Sequence, residues 1–133
     1  MTRPPSEEGL GYWIHTNREL GMMLRGEKPL AVFSDYYGSF HDVVLRYLDN
    51  FDRHAATGRF VKREFVERRT DPPGWVHYIL YSQPGEDWRI DAPLDLYQWL
   101  GAWTSDRERA EGTLLGYEDW QNDVWIEKRF GQS

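Results

Sequence analysis

The side chains able to do acid–base or nucleophilic chemistry are scattered along this 133-residue chain rather than gathered in a motif. Four histidines, His15, His41, His54 and His77, lack the His-x-x-x-His or Glu-x-x-His spacing that sets two metal ligands on one helical face. His41 would join Asp35 and Asp42 around a metal only if folding gathered all three, so no metal site is assigned. Ser34-Asp35 and Ser39-x-His41-Asp42 hold the residue types of nucleophilic catalysis, but a triad is an arrangement in space and sequence neighbours do not make one. The twelve glycines complete neither a phosphate loop nor a Gly-x-Ser-x-Gly elbow. Asp49 with Asp52, and Asp119 with Asp123, fall at helical spacings. A general acid needs one such carboxyl shifted by burial or by a like charge, and solvated carboxylates are the default. No cysteine is present, which excludes disulfides, thiolate catalysis and cysteine-ligated zinc or iron–sulfur centres. Catalytic residues are therefore unassigned, and no cofactor is implied.

The strongest departure from ordinary composition is residues 86–127. Eleven carboxylates there face three arginines, a formal charge of −8, and the stretch holds five of the seven tryptophans. Tryptophan and tyrosine anchor interfaces more often than most residues do. The plainer reading makes these tryptophans the core of a small helical layer, with Leu96, Leu100, Leu114 and Val124 at compatible spacings. Short helices have difficulty burying that much aromatic area, so at least one tryptophan is expected at the surface beside acid. The candidate protein-binding residues are Trp103, Tyr117, Asp119, Trp120, Asp123 and Trp125. A complementary basic patch, Arg59, Lys62, Arg63, Arg68 and Arg69, lies in a run opposed by only Glu64 and Glu67. The expected partner is a protein or a basic peptide, with a second copy of the chain as one such partner. A net charge of −6 argues against nucleic acid, which needs a basic footprint, although Lys62 and Arg63 would supply one if the acidic tract pointed away. The leading reading is a small intracellular interaction or regulatory protein acting through an acidic, aromatic helical surface. The alternative is a small metal-independent α+β hydrolase or isomerase using a histidine–carboxylate pair.

These residues must be positioned by elements that alternate in period. Residues 1–9 read as a flexible arm and 10–133 as one α+β domain. Residues 1–9 lack the apolar core of a signal peptide, and no apolar run approaches the roughly 18 residues of a membrane span, so a cytoplasmic location without a membrane partner is expected. A helix is predicted from Asn17 to Leu24, capped by Thr16 or Asn17 and ended by Gly26. A strand follows at Pro29–Phe33, covered on both faces, then a turn at Asp35–Gly38. Phe40–Phe51 suits either period, and its first half is read as strand. Phe60–Arg69 and Trp75–Ser82 form an antiparallel hairpin across Asp71-Pro72-Pro73-Gly74, with Trp88–Ile90 as a short further strand. Helices follow: one over Pro93–Trp103, one opened by a Ser105-x-x-Glu108 capping box and broken at Gly116, and one opened by Glu118 and Asp119. The expected fold is α+β, an antiparallel sheet of three to five strands packed against N- and C-terminal helices, with the helices gathered on one face.

Overall fold

A computed structural model describes Tyr12 and residues 14–70, 72–97 and 103–131. The expected 1–9 arm, Trp99 and the end of the Pro93–Trp103 helix lie outside the described residues, apart from Pro93–Tyr97 and Trp103 themselves. Among the described residues eight elements run in the order α1 (Glu19–Leu24), β1 (Leu30–Tyr36), α2 (Asp42–Ala56), β2 (Val61–Thr70), β3 (Pro73–Ser82), α3 (Trp88–Tyr97), α4 (Ser105–Leu115) and α5 (Asp119–Phe130). The fold is α+β. A three-stranded antiparallel sheet in the order β1-β3-β2 has helices on both sides. Among the described residues no helix is long and apolar enough to cross a membrane.

The hairpin pairs Thr70 with Pro73, so two positions separate its strands rather than the expected four. β3 is central, and Tyr78-Ile79-Leu80-Tyr81 is apolar without a break because successive side chains serve opposite faces. One face carries Ala31, Phe33, Ile79 and Tyr81 against Met23, Leu48 and Phe51 from α1 and α2. Phe51 stacks on Tyr81 at 4.6 Å between ring centroids. The other face carries Leu30, Val32, Tyr78 and Leu80 against Ile90 and Leu94 of α3, with Leu114 and Leu115 of α4. The expectation of helices on one face is thus corrected, since both faces are apolar and both are covered.

Four local expectations also change. The segment read as strand after Phe40 is the first half of α2. Val44, Leu48, Phe51 and Ala55 recur at helical spacing and meet the sheet as one stripe. Its stop is Gly58 itself, at φ +80°, with Gly58 N–H returning to Ala55 O and Arg59 N–H to His54 O. Trp88–Ile90 is the start of α3 rather than a strand, opening with i−3 hydrogen bonds from Arg89 and Ile90, so Pro93 stands inside the helix rather than in its first turn. β1 runs on to Tyr36, which shortens the expected turn to Tyr37 and Gly38. At α1, Asn17 takes a left-handed conformation at φ +68° and does not cap. The Tyr47 hydroxyl of α2 supplies that function, accepting from Leu20 N–H at 2.9 Å and donating to Glu19 Oε1 at 3.2 Å.

Candidate functional site

The site is built on α4. Thr104, one residue before the expected cap, accepts a hydrogen bond on Oγ1 from Arg107 N–H at 3.3 Å and so starts the helix. That leaves Glu108 free of capping, and it shares a helix face with Glu111 three residues on. Trp103 Nε1 donates to Glu108 Oε2 at 2.5 Å, and Trp125 Nε1 of α5 donates to Oε1 at 2.6 Å. Tyr97 at the end of α3 donates to Glu111 Oε2 at 2.5 Å while stacking on Tyr78. Burial pushes the Glu111 carboxyl up and the Tyr97 hydrogen bond opposes it; the neighbouring Glu108 adds to the rise and the Arg129 charge works against it. The same burial, with the facing Glu111 carboxylate, raises Tyr97 and keeps it a donor.

These carboxylates open into a cavity of about 250 Å³ whose other walls are Tyr12, Tyr117, Asn122 and Trp125. Tyr12 stands edge-on to Tyr117 at 6.0 Å and to Trp120 at 5.4 Å, and its hydroxyl donates to Gln121 O of α5. Asn122 is buried and donates from Nδ2 to Thr113 Oγ1, locking α5 to α4.

Behind Tyr117 lies a second polar cluster. His15 stacks on the Tyr117 ring at 3.7 Å, and its backbone N–H donates to the Tyr117 hydroxyl at 2.7 Å. Lys28, 2% exposed, donates from Nζ to His15 Nδ1 at 2.7 Å and to Leu115 O at 2.6 Å. Leu115 ends α4, so the amine meets the negative end of the helix dipole. Arg89 reaches the Thr113 and Leu114 carbonyls of the same turn. Burial lowers Lys28 to about 7. Burial and then the Lys28 charge lower His15 to about 3, which keeps it neutral and able to accept on Nδ1. The cluster fixes residues 14–16, part of the cavity wall, to the end of α4.

Of the six residues proposed from sequence for binding, Trp103 and Trp125 converge on Glu108, and Tyr117 lines the cavity. Trp120 is 47% exposed at the rim, its indole N–H on Glu118 Oε2 at 2.7 Å. Asp119 and Asp123 lie on the exposed side of α5, where Asp123 pairs with Arg109. Glu108, Glu111, Tyr12 and Asn122 were not among the six. The spacing of Glu108 and Glu111 carries the signal, which the capping-box pattern obscures. The five basic residues divide. Arg59 turns inward to Met23 O, Leu24 O and Gln83 Oε1 at the end of α1, and Arg69 donates to the Tyr78 hydroxyl. Lys62 pairs with Asp52 at 2.9 Å, while Arg63 and Arg68 are exposed.

His77 accounts for the one histidine–carboxylate contact among the described hydrogen bonds, its Nε2 lying 2.8 Å from Glu64 Oε1 beside a groove lined by Tyr37, Phe40 and Leu45. Among the described residues no group of three or more histidines and carboxylates is placed to hold a metal. No family model, no curated protein and no solved structure matches this chain.

Proposed function

We propose that this chain is a small intracellular interaction protein that binds a basic peptide or protein segment through the acidic, aromatic surface of α4 and α5. The observation that carries the reading is Glu108, a carboxylate held by two indole N–H groups in the wall of an aromatic cavity that Glu111 also lines. Such a carboxylate is fixed in place by its two donors and partly buried, so a cation brought to it has less ordering to do than at a freely rotating surface acid. Trp120, Asp119 and Asp123 extend the same chemistry outward as an aromatic anchor within a polar rim. Titration with lysine- and arginine-rich octapeptides at low and high salt tests the reading. Saturable binding that weakens with salt is expected, and no binding of either peptide at low salt overturns it.

A second copy is one candidate partner, through the exposed Arg63 and Arg68, since Arg59 and Arg69 are engaged within the fold. Light scattering tests this, a monomer at high concentration in low salt being the contrary result. The enzyme alternative rests on His77 and Glu64, whose hydrogen bond orients the imidazole beside an aromatic groove. It predicts turnover of an activated ester that is lost in His77→Gln, and turnover unchanged in that variant counts against it.

A further inference from the structure

β2 is an outer strand of the sheet, and the direction of its backbone groups follows from the pairing on the far side of β3. In an antiparallel sheet the N–H and C=O of one residue point to the same neighbour. Tyr37 N–H donates to Trp75 O and Gln83 N–H to Pro29 O, so the odd-numbered residues of β3 face β1. The even-numbered residues of β3 therefore bond to β2, through their register partners Val61, Arg63, Phe65, Glu67 and Arg69. This leaves the N–H and C=O of Lys62, Glu64, Val66 and Arg68 pointing away from the sheet. Lys62 O accepts from Arg63 Nη1 at 3.0 Å, and among the described residues no other hydrogen bond reaches this row. Such a row is a template for a further strand.

Charged side chains on an edge usually repel that strand. Here their order makes the edge complementary to itself. Val66, apolar and 47% exposed, sits midway between Glu64 and Arg68 on one face of β2. Trp75, 54% exposed, stands cross-strand from Arg68 on the same face. If a second β2 pairs antiparallel with Val66 opposite Val66, Glu64 of each copy lies opposite Arg68 of the other. Glu64 Oε1 is engaged by His77 Nε2 at 2.8 Å, which leaves Oε2, 3.6 Å from Lys62 Nζ, for that guanidinium. On the opposite face Arg63 meets Arg69, whose guanidinium is turned inward to the Tyr78 hydroxyl. Slipping two residues either way sets Lys62 against Arg68 or Glu67 against Glu67, so charge selects the register centred on Val66.

We propose that two copies of this chain join antiparallel through Val61–Thr70, about a two-fold axis at Val66, and so continue one sheet across both. The contact closes on itself, because it uses the same edge of each copy. α4 packs on β1 at the other side of the sheet, so the α4–α5 surface stays open and the proposal is independent of the basic-partner reading.

The test is the mass of the whole chain in solution by light scattering. Twice the 15.8 kDa chain mass is expected in low salt and in high salt alike, because the buried backbone bonds of a strand pair are little screened. Val66→Pro removes the central outward N–H, a change that edge strands tolerate, and is expected to give a folded monomer. Glu64→Lys and Arg68→Glu each set like charges opposite one another in a self-pair. Each is expected to be monomeric alone, and the two mixed to dimerise at least about tenfold more tightly than either does, since mixing restores opposite charges at both positions. A monomer at every concentration tested overturns the proposal and leaves the edge to a strand of another protein. A dimer that dissolves in high salt also overturns it and points to charge docking on the acidic surface. A dimer left intact by all three variants lies elsewhere and overturns it too. If Val66→Pro fails to fold, the charge pair decides, and no gain on mixing Glu64→Lys with Arg68→Glu is the contrary result.

Discussion

At the scale of single residues, what distinguishes this protein is where it puts unbalanced charge. Glu108 and Glu111 share a site on one side of Tyr117, and Lys28 is buried with His15 on the other. The tryptophans that meet Glu108 stand out from composition alone, because indoles crowded among carboxylates are rare enough to draw attention. Glu108 itself is hidden in the sequence by the Ser105-x-x-Glu108 pattern, which gives it a backbone-capping task that Thr104 makes unnecessary. Lys28 is hidden by its type, since lysine is almost never buried without a partner. The carbonyl it meets lies 87 residues away, a contact no local pattern encodes. Its burial has a measurable consequence. The folded protein releases the Lys28 proton near pH 7, whereas the unfolded chain keeps it to the ordinary 10.5. A folded pKa below the unfolded one costs stability fully below 7 and progressively less as pH climbs from 7 toward 10.5. His15 acts in the same sense lower down. Its contribution is flat above its ordinary 6.5, and stability falls as pH drops from 6.5 toward about 3. Urea unfolding followed from about pH 7 to about pH 9.5 is expected to show a gain in stability that is absent in Lys28→Met; an unchanged gain in the variant would place its source elsewhere.

At the scale of elements, α4 and α5 carry the site, and their contact depends on a glycine. A Cβ at Gly112 would lie 2.1 Å from Asn122 Oδ1, and Asn122 is buried and tied to Thr113. Alanine usually stabilises a helix over glycine by about 1 kcal/mol. Here Gly112→Ala is expected to destabilise by about 1–3 kcal/mol, because the buried Asn122 side chain must give way to the methyl group and loosen its hold on Thr113; urea melts decide it, and a gain would contradict the close packing. The helix start supplies a paired test. Thr104→Ala is expected to cost about 1 kcal/mol and Ser105→Ala less than about 0.5 kcal/mol, and the reverse order would restore Ser105 as the cap. β2 is readable from its alternation, β3 from its aromatic and β-branched content, and α5 from its acidic start and basic end. α2 is not, because Val43, Leu45 and Tyr47 satisfy a strand while Val44, Leu48 and Phe51 satisfy a helix, and only the covered face of the sheet decides between them. The start of α3 escapes for a similar reason: three residues are too few to show a period.

At the scale of the whole molecule, the sheet is an inner layer. Its order β1-β3-β2 leaves α1 and α2 on one face and α3 and α4 on the other, and α5 packs on α4. The α+β class and the hairpin are readable from the chain. The two-sided cover is foreshadowed by Leu30-Ala31 and by Tyr78-Ile79-Leu80-Tyr81, whose unbroken apolar character leaves no face for water. Because α5 is outermost, its acids and Trp120 face solvent while Trp125 turns inward to Glu108. The charge asymmetry of the sequence survives only in part. Of the basic run, Arg59, Lys62 and Arg69 are engaged within the fold, so under the proposed reading a separate basic partner is expected at the acidic surface in place of a second copy. The most direct measurement is binding of a lysine-rich octapeptide at low salt, read on the Trp103 and Trp125 indole signals of the protein and of Glu108→Gln. A saturable shift is expected in the protein, with loss of at least about tenfold in affinity in the variant. Equal binding by both, or no shift at either indole, would contradict it.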